Sequence, residues 1–261
     1  MMVVMTRDHI SGGAVHSAAP GDARRPEPLM GAVLVVKNLS NAKTRLAATL
    51  PQRPTPEALR EIVLAMLLDT LSAVELAGLD PIVVISPDSQ VLRTVAATGH
   101  HMLRETSHPG TTLNHAYAQG ARWVADRRPQ ISHVMMVQAD LPAASCRSMT
   151  EVAAAAIAHS HSLVADASGT GTALLIRPTD DTSLPLFGPN SAAAHRSHGA
   201  VELDPDHQRW VDLRTDVDTA DDLSEALALG IGAHTRSALD AHRATSAVTD
   251  GAAAPHPADA S

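Results

Sequence analysis

The chain has almost no aromatic residues. Trp123, Trp210, Tyr117 and Phe187 are the whole set among 261 positions, so there is no array of rings on which the bases of single-stranded nucleic acid could stack. Cysteine is nearly absent as well. Cys146 stands alone, which excludes an intrachain disulfide and a multi-cysteine zinc site. Positive charge is in deficit: 20 Lys and Arg against 28 Asp and Glu give a net charge of −8, with no basic footprint for DNA or RNA. No uncharged apolar run reaches bilayer length. The weakly apolar stretch from Met1 to Met5 is followed at once by Arg7, Asp8 and His9, too soon for a secretory segment. A cytoplasmic protein without membrane or nucleic-acid partners is expected. Anionic small molecules remain open to it, because local positive charge can sit in an acidic protein.

What is present is aliphatic. Hydrophobic residues make up 44% of the chain, so its core must be built from Ala, Val, Leu, Ile and Met, and the length suffices for one large domain or two small ones. Residues 1–29 and 233–261 are rich in small and polar residues without periodicity, and both read as disordered tails. Their histidines, His9, His16, His234, His242 and His256, are too scattered for a metal site. Between the tails, apolar runs at 31–36, 81–86, 133–138, 162–165 and 173–176 read as strands. They alternate with helical patterns at 56–77, 91–97, 112–126, 148–158 and 218–229. Strands alternating with helices mean βαβ units and a largely parallel sheet covered on both faces, in one α/β domain over residues 30–232.

In such sheets ligands bind beyond the carboxyl ends of the strands, which selects the residues that follow each run. After the first come Lys37, Lys43 and Arg45 in one short segment. They form either a solvated basic turn or a holder of triphosphate oxygens, but not a P-loop, whose glycines are missing. After the third comes Asp140-Leu-Pro, in which the carboxylate is either a Mg²⁺ ligand or a cap for the next segment. Near the end, Asp216-Val-Asp218 would point two carboxylates the same way if extended. Like charges so placed repel unless a cation or proton intervenes, and a metal is the economical explanation. Asp221 and Asp222 read instead as anions at a helix N-terminus. Two turns, Gly169-Thr-Gly-Thr172 and Gly188-Pro-Asn-Ser191, offer close backbone approach and hydroxyls, as an anion cradle requires.

Taken in order, VLVVKNLSNAKTRL, VVISPD, LNHAYAQGARW, ADLP, GTGTALL, FGPNSAAAH and LRTDVDTADDL resemble the guanylyltransferases of deazaflavin coenzyme F-420 biosynthesis, over nearly all of residues 31–231. The resemblance implies a single Rossmann-like, three-layer domain of glycosyltransferase-A type with a mostly parallel sheet. It places the chain in the clan of molybdopterin guanylyltransferase-like nucleotidyltransferases. It implies transfer of the guanylyl group of GTP to a phosphorylated three-carbon acid with release of pyrophosphate. Actinobacterial members use phosphoenolpyruvate, giving enolpyruvoyl-diphospho-guanosine, and archaeal members use 2-phospho-L-lactate. A composition rich in Ala, Arg, Asp and His suggests a GC-rich genome and favours phosphoenolpyruvate. The alternatives are the same reaction on 2-phospho-L-lactate, or another nucleotidyltransferase of the clan with a different phosphorylated acceptor.

Carried over residue by residue, the resemblance makes Thr172, Gly188 and Ser191 the phosphoenolpyruvate contacts. Asp140, Asp216 and Asp218 become ligands of Mg²⁺, the expected cofactor. Lys37, Lys43, Arg45 and Asn114 become nucleotide contacts, and Asp140 with Lys43 becomes the catalytic pair. The product would pass to a downstream transferase. One departure is visible: Ala139 stands where the family usually has Gly; a methyl group there could crowd the nucleotide, though alanine is the smallest change possible.

Overall fold

The computed structural model describes residues 30–106 and 112–252. The expected tail at 1–29 and the last residues, from 253, lie outside them. Seven strands form one sheet: β1 (Met30–Val35), β2 (Ile82–Ser86), β3 (His101–Arg104), β4 (His133–Val137), β5 (Ser162–Ala165), β6 (Thr172–Pro178) and β7 (Val201–Glu202). Their order is β3-β2-β1-β4-β6-β5-β7. The pairs β3–β2, β2–β1, β1–β4 and β5–β7 are parallel, and β6 runs antiparallel to both of its neighbours.

The helices are α1 (Thr44–Thr49), α2 (Pro56–Leu76), α3 (Ser89–Thr98), α4 (Leu113–Arg127), α5 (Cys146–Ala156), α6 (Ser191–Ser197), α7 (Ala220–Leu229) and α8 (Ala233–Ala252). Side chains alternate across a strand, and β1 divides accordingly. Ala32 and Leu34 pack with α2, α3, α5 and α7 on one face; Val33 and Val35 pack with α4 and α6 on the other. This gives the three layers expected. The α2 helix begins as its sequence indicates, with Thr55 accepting from the N–H of Ala58 at 3.2 Å and Pro56 in the first turn.

Three features differ from the sequence reading. The exposed residues of β3 break its apolar pattern, so nothing but pairing with β2 identifies it as a strand. The two-residue β7 is too short for any periodicity. The third difference is a correction: residues 233–252, expected to be part of a tail, form α8, which packs on α2. The reason is a cap supplied from far away in sequence. The buried Asp69 of α2 accepts the N–H groups of His234 at 3.0 Å and Thr235 at 2.8 Å, satisfying donors that a helix N-terminus leaves free. Gly232 makes room for this, since a Cβ there would stand 2.2 Å from the Asp69 carboxyl carbon.

Among the described residues no helix is long and apolar enough to cross a membrane.

Candidate active site

The chain runs from β1 outward to β2 and β3, then returns to lay β4 on the other side of β1. The order therefore reverses between β1 and β4, and in open α/β sheets it is beyond the carboxyl ends of the strands at such a switch point that ligands bind. Lys43 follows β1 and Asp140 follows β4, so the topology aims both at this point. The antiparallel β6 contributes from its start. Thr172 lies beside the end of β4, where Gln138 donates its backbone N–H to Ala173 O at 3.1 Å and its side-chain amide to Thr172 O at 3.2 Å.

Lys43 occupies the N-cap of α1 in the left-handed region, at φ 55°, an uncommon conformation for a residue with a Cβ. Its ammonium group hydrogen-bonds Asp140 Oδ2 and, at 2.7 Å, Asp218 Oδ1. Arg45 pairs with the other oxygen of Asp218, but its side chain is 72% exposed, so solvent weakens that pair far more. Burial works to lower the Lys43 pKa. The charges of Asp140 and Asp218, and their hydrogen bonds, outweigh it and hold the group above the ordinary lysine range. The same contacts keep Asp218 below the usual carboxylate range against the opposing effect of burial. Among the described residues Asp216 has no such partner. Burial, and then the charges of Asp140 and Asp218, push it up to about 7 in spite of Lys43.

Oxygens of Asp140, Asp216 and Asp218 lie within 4.8 Å of one another. The expectation that the two aspartates of the Asp-Val-Asp segment turn to one side therefore agrees with the geometry. Three carboxylates face two cations, one of them largely in water. Among the described residues the buried Asp140 Oδ1 has no hydrogen-bond partner. A group of oxygen donors short of positive charge is a fitting site for a hard divalent cation.

The loops around this cluster are held by residues far apart in sequence. Val217 donates its N–H to Asp140 O at 3.2 Å. The Thr219 and Asp222 side chains cap α7 reciprocally, and Asp222 also accepts from the Asp218 N–H at 3.0 Å. Asp222 thus has the helix-terminus role read from the sequence. Leu141 donates its N–H to the buried Thr70 hydroxyl at 3.1 Å. Arg214 was not singled out by sequence reasoning. It is fully buried, pairs with Asp204 at 2.9 Å and donates to Ala165 O at 2.8 Å, joining the end of β5 to the segment that leads into Asp216.

The two glycine-containing turns meet. Ser191 Oγ donates to Thr172 Oγ1 at 3.0 Å, and the Ala192 N–H reaches Thr170 O at 3.1 Å. The Gly169–Thr172 turn, however, is not an open cradle. Asp166 accepts the N–H groups of Thr170 at 3.1 Å and Gly171 at 3.0 Å, so these donors are already engaged. That contact requires glycine at 171, where a Cβ would lie 2.2 Å from Asp166 Oδ2. Asn114 joins this group and not the basic one: its amide both donates to and accepts from the Phe187 backbone, at 3.0 and 2.8 Å. The Phe187 ring stacks on Tyr117 at 4.4 Å.

Lys37 is likewise apart from Lys43 and Arg45. It pairs with Glu105, a buried residue beyond the end of β3 that sequence reasoning missed because β3 itself carries little signal. Ala139 is partly buried and packs against the apolar core.

The family profile described as "Guanylyl transferase CofC like" matches residues 30–254. The chain belongs to this family. Among relatives of this guanylyltransferase, the phosphoenolpyruvate guanylyltransferase of Mycolicibacterium paratuberculosis is 42% identical over 214 residues, covering 80% of this chain and 92% of that protein. The protein of the same description from Nocardia farcinica is 38% identical over 210 residues, covering 80% of this chain and 89% of that one. A solved nucleotidyl transferase from Methanothermobacter superposes with a TM-score of 0.51 at 16% identity, covering 77% of this chain and 97% of that one. At that identity the likeness speaks for the fold alone.

Proposed function

We propose that this chain transfers the guanylyl group of GTP to phosphoenolpyruvate, yielding enolpyruvoyl-diphospho-guanosine and pyrophosphate, as a step of deazaflavin coenzyme F-420 biosynthesis. The observation that carries this reading is the meeting of Lys43, Asp140 and Asp218 at the switch point of the sheet. The linked hydroxyls of Thr172 and Ser191 lie at the same end of the sheet, beside the end of β4. Relatives named for this reaction at about 40% identity support the choice of substrates.

The acceptor phosphate is anionic at neutral pH, so attack on the α-phosphorus needs no side-chain nucleophile and no general base. Positioning and neutralisation of charge carry the catalysis. Lys43 and Arg45 would take up charge on the departing pyrophosphate, exchanging their carboxylate partners for phosphate oxygens. Thr172, Gly188 and Ser191 would hold the acid, and Asn114 would shape their turn through Phe187. Asp140, Asp216 and Asp218 would hold Mg²⁺, which when bound supplies further neutralisation of phosphate charge. The product would be handed to a downstream transferase.

The test is mass spectrometry of products formed from GTP with either phosphoenolpyruvate or 2-phospho-L-lactate, trapped with the downstream transferase. The phosphoenolpyruvate adduct is expected. A kcat/KM with ATP equal to that with GTP would remove the guanylyl assignment. Faster turnover of 2-phospho-L-lactate would reassign the acceptor.

A further inference from the structure

Behind Thr172 lies a histidine whose hydrogen bonds fix where its proton resides. His195, on α6, is buried between the Phe187 ring, which meets it edge-on at 5.3 Å, and the starts of α6 and β6. The backbone N–H of Leu186 lies 2.9 Å from its Nε2. A backbone N–H can only donate, so Nε2 carries no proton, and the neutral ring must carry its proton on Nδ1. Nδ1 lies 3.0 Å from Thr172 Oγ1, so it donates to that oxygen. Burial first, then the charges of Arg177 and His198, push the His195 pKa down to about 4, which keeps the ring neutral.

Counting protons shows what this does. Thr172 and Ser191 have two hydroxyl protons between them, and the bond joining their oxygens at 3.0 Å uses one. A histidine accepting at Nδ1 would take the second. One donating there leaves it free. We infer that His195 is a positioning residue for the acceptor acid: by donating from Nδ1 to Thr172, it keeps one hydroxyl proton of the Thr172–Ser191 pair directed at a substrate oxygen. Among the described residues no other hydrogen-bond partner of the Thr172 hydroxyl is found. The inference rests on the reading that the acid binds at Thr172 and Ser191.

Two substitutions divide the functions of the ring. In His195→Asn the amide nitrogen stands near the place of Nδ1 and can still donate to Thr172, whereas the bond to Leu186 is lost. In His195→Gln the amide oxygen can still accept from Leu186, whereas the donor at the δ position is lost. KM for phosphoenolpyruvate and for GTP is measured for both variants, for Thr172→Val, and for the double variant Thr172→Val/His195→Gln. His195→Gln should raise the KM for phosphoenolpyruvate about tenfold, the scale of one hydrogen bond, and leave that for GTP within about twofold. His195→Asn should stay near the parent, and the double variant should be no worse than Thr172→Val alone.

The reverse pattern, with Gln normal and Asn impaired, would show that His195 matters through Leu186 and would overturn the inference. So would losses in the double variant that multiply. If His195→Gln does not fold, His195→Asn decides: a tenfold rise in the acid's KM rejects the proposal, and a normal KM supports it. If Thr172→Val leaves the acid's KM unchanged, it is the placement of the acid that fails.

Discussion

Asp216 sits among charges of its own sign, and the contrast with Asp218 shows how neighbours and not residue type set the behaviour of a carboxylate. Both come from one three-residue segment. Asp218 accepts from Lys43 and is held below its ordinary range, while Asp216, buried without such a partner, is pushed up to about 7. Asp140 lies close to both, with one oxygen on Lys43 and the other without a hydrogen-bond partner among the described residues. Replacing Asp140 by Asn keeps the shape and removes the charge. The expected result is a fall in kcat on the order of a thousandfold, the scale of losing a charge at a phosphoryl-transfer centre, with the fold retained by circular dichroism. Near-normal turnover of the folded variant at saturating Mg²⁺ would take Asp140 out of the site. At the Thr172–Ser191 contact, where the acid is proposed to bind, Ser191→Ala should raise the KM for phosphoenolpyruvate severalfold and leave that for GTP nearly unchanged. The opposite split in steady-state kinetics would mean that the two pockets have been exchanged.

Two neighbouring residues of α2 anchor a different element each. The carboxylate of Asp69 caps α8, and the hydroxyl of Thr70 accepts from Leu141 beside Asp140. Gly232 also donates its N–H to Pro142 O at 2.9 Å, so the start of α8 and the Asp140-Leu-Pro loop are tied to each other as well as to α2. Removing the Asp69 carboxylate would leave two helix N–H groups without an acceptor. Asp69→Ala should therefore cost about 2–4 kcal/mol, read as a lower midpoint in urea unfolding. Gly232→Ala meets the same carboxylate sterically and should destabilise by a comparable amount. A midpoint unchanged in both variants would mean that α8 does not depend on this cap.

For the molecule as a whole, the buried His195 makes stability depend on pH in a defined direction. In the unfolded chain its imidazole takes a proton near 6.5, and in the folded protein only near 4. Between these values the unfolded state binds more protons, so stability that is fully present above pH 6.5 is lost as the pH falls toward 4. The contribution is on the order of 3 kcal/mol at its limit. The melting temperature should fall from pH 7 to pH 5, and it should fall less steeply in His195→Gln. Equal slopes would show that the ring is not held neutral by the fold. Burial of the ring first, and then the charges of Arg177 and His198, oppose its protonation, so the effect belongs to the packing of α6 on the sheet and not to the histidine alone.

The alternation of the main strands and helices, the layered α/β architecture and the acidic and basic segments that follow the strands were legible in the amino-acid sequence, because each depends on local periodicity or on residues close together in the chain. Asp216 and Asp218 are two residues apart, and Thr219 with Asp222 forms a cap within one turn, so their shared side and their capping are local properties. What brings Lys43 to Asp140, 97 positions away, is the reversal of strand order between β1 and β4. Only the folded chain assigns Asn114 to the Phe187 turn and turns a polar, alanine-rich segment into α8. In each of these cases the deciding partner is a hydrogen-bonding or charged group whose position depends on the tertiary packing. The pattern along the chain specifies which face of an element is buried, but not which distant polar group will meet its end.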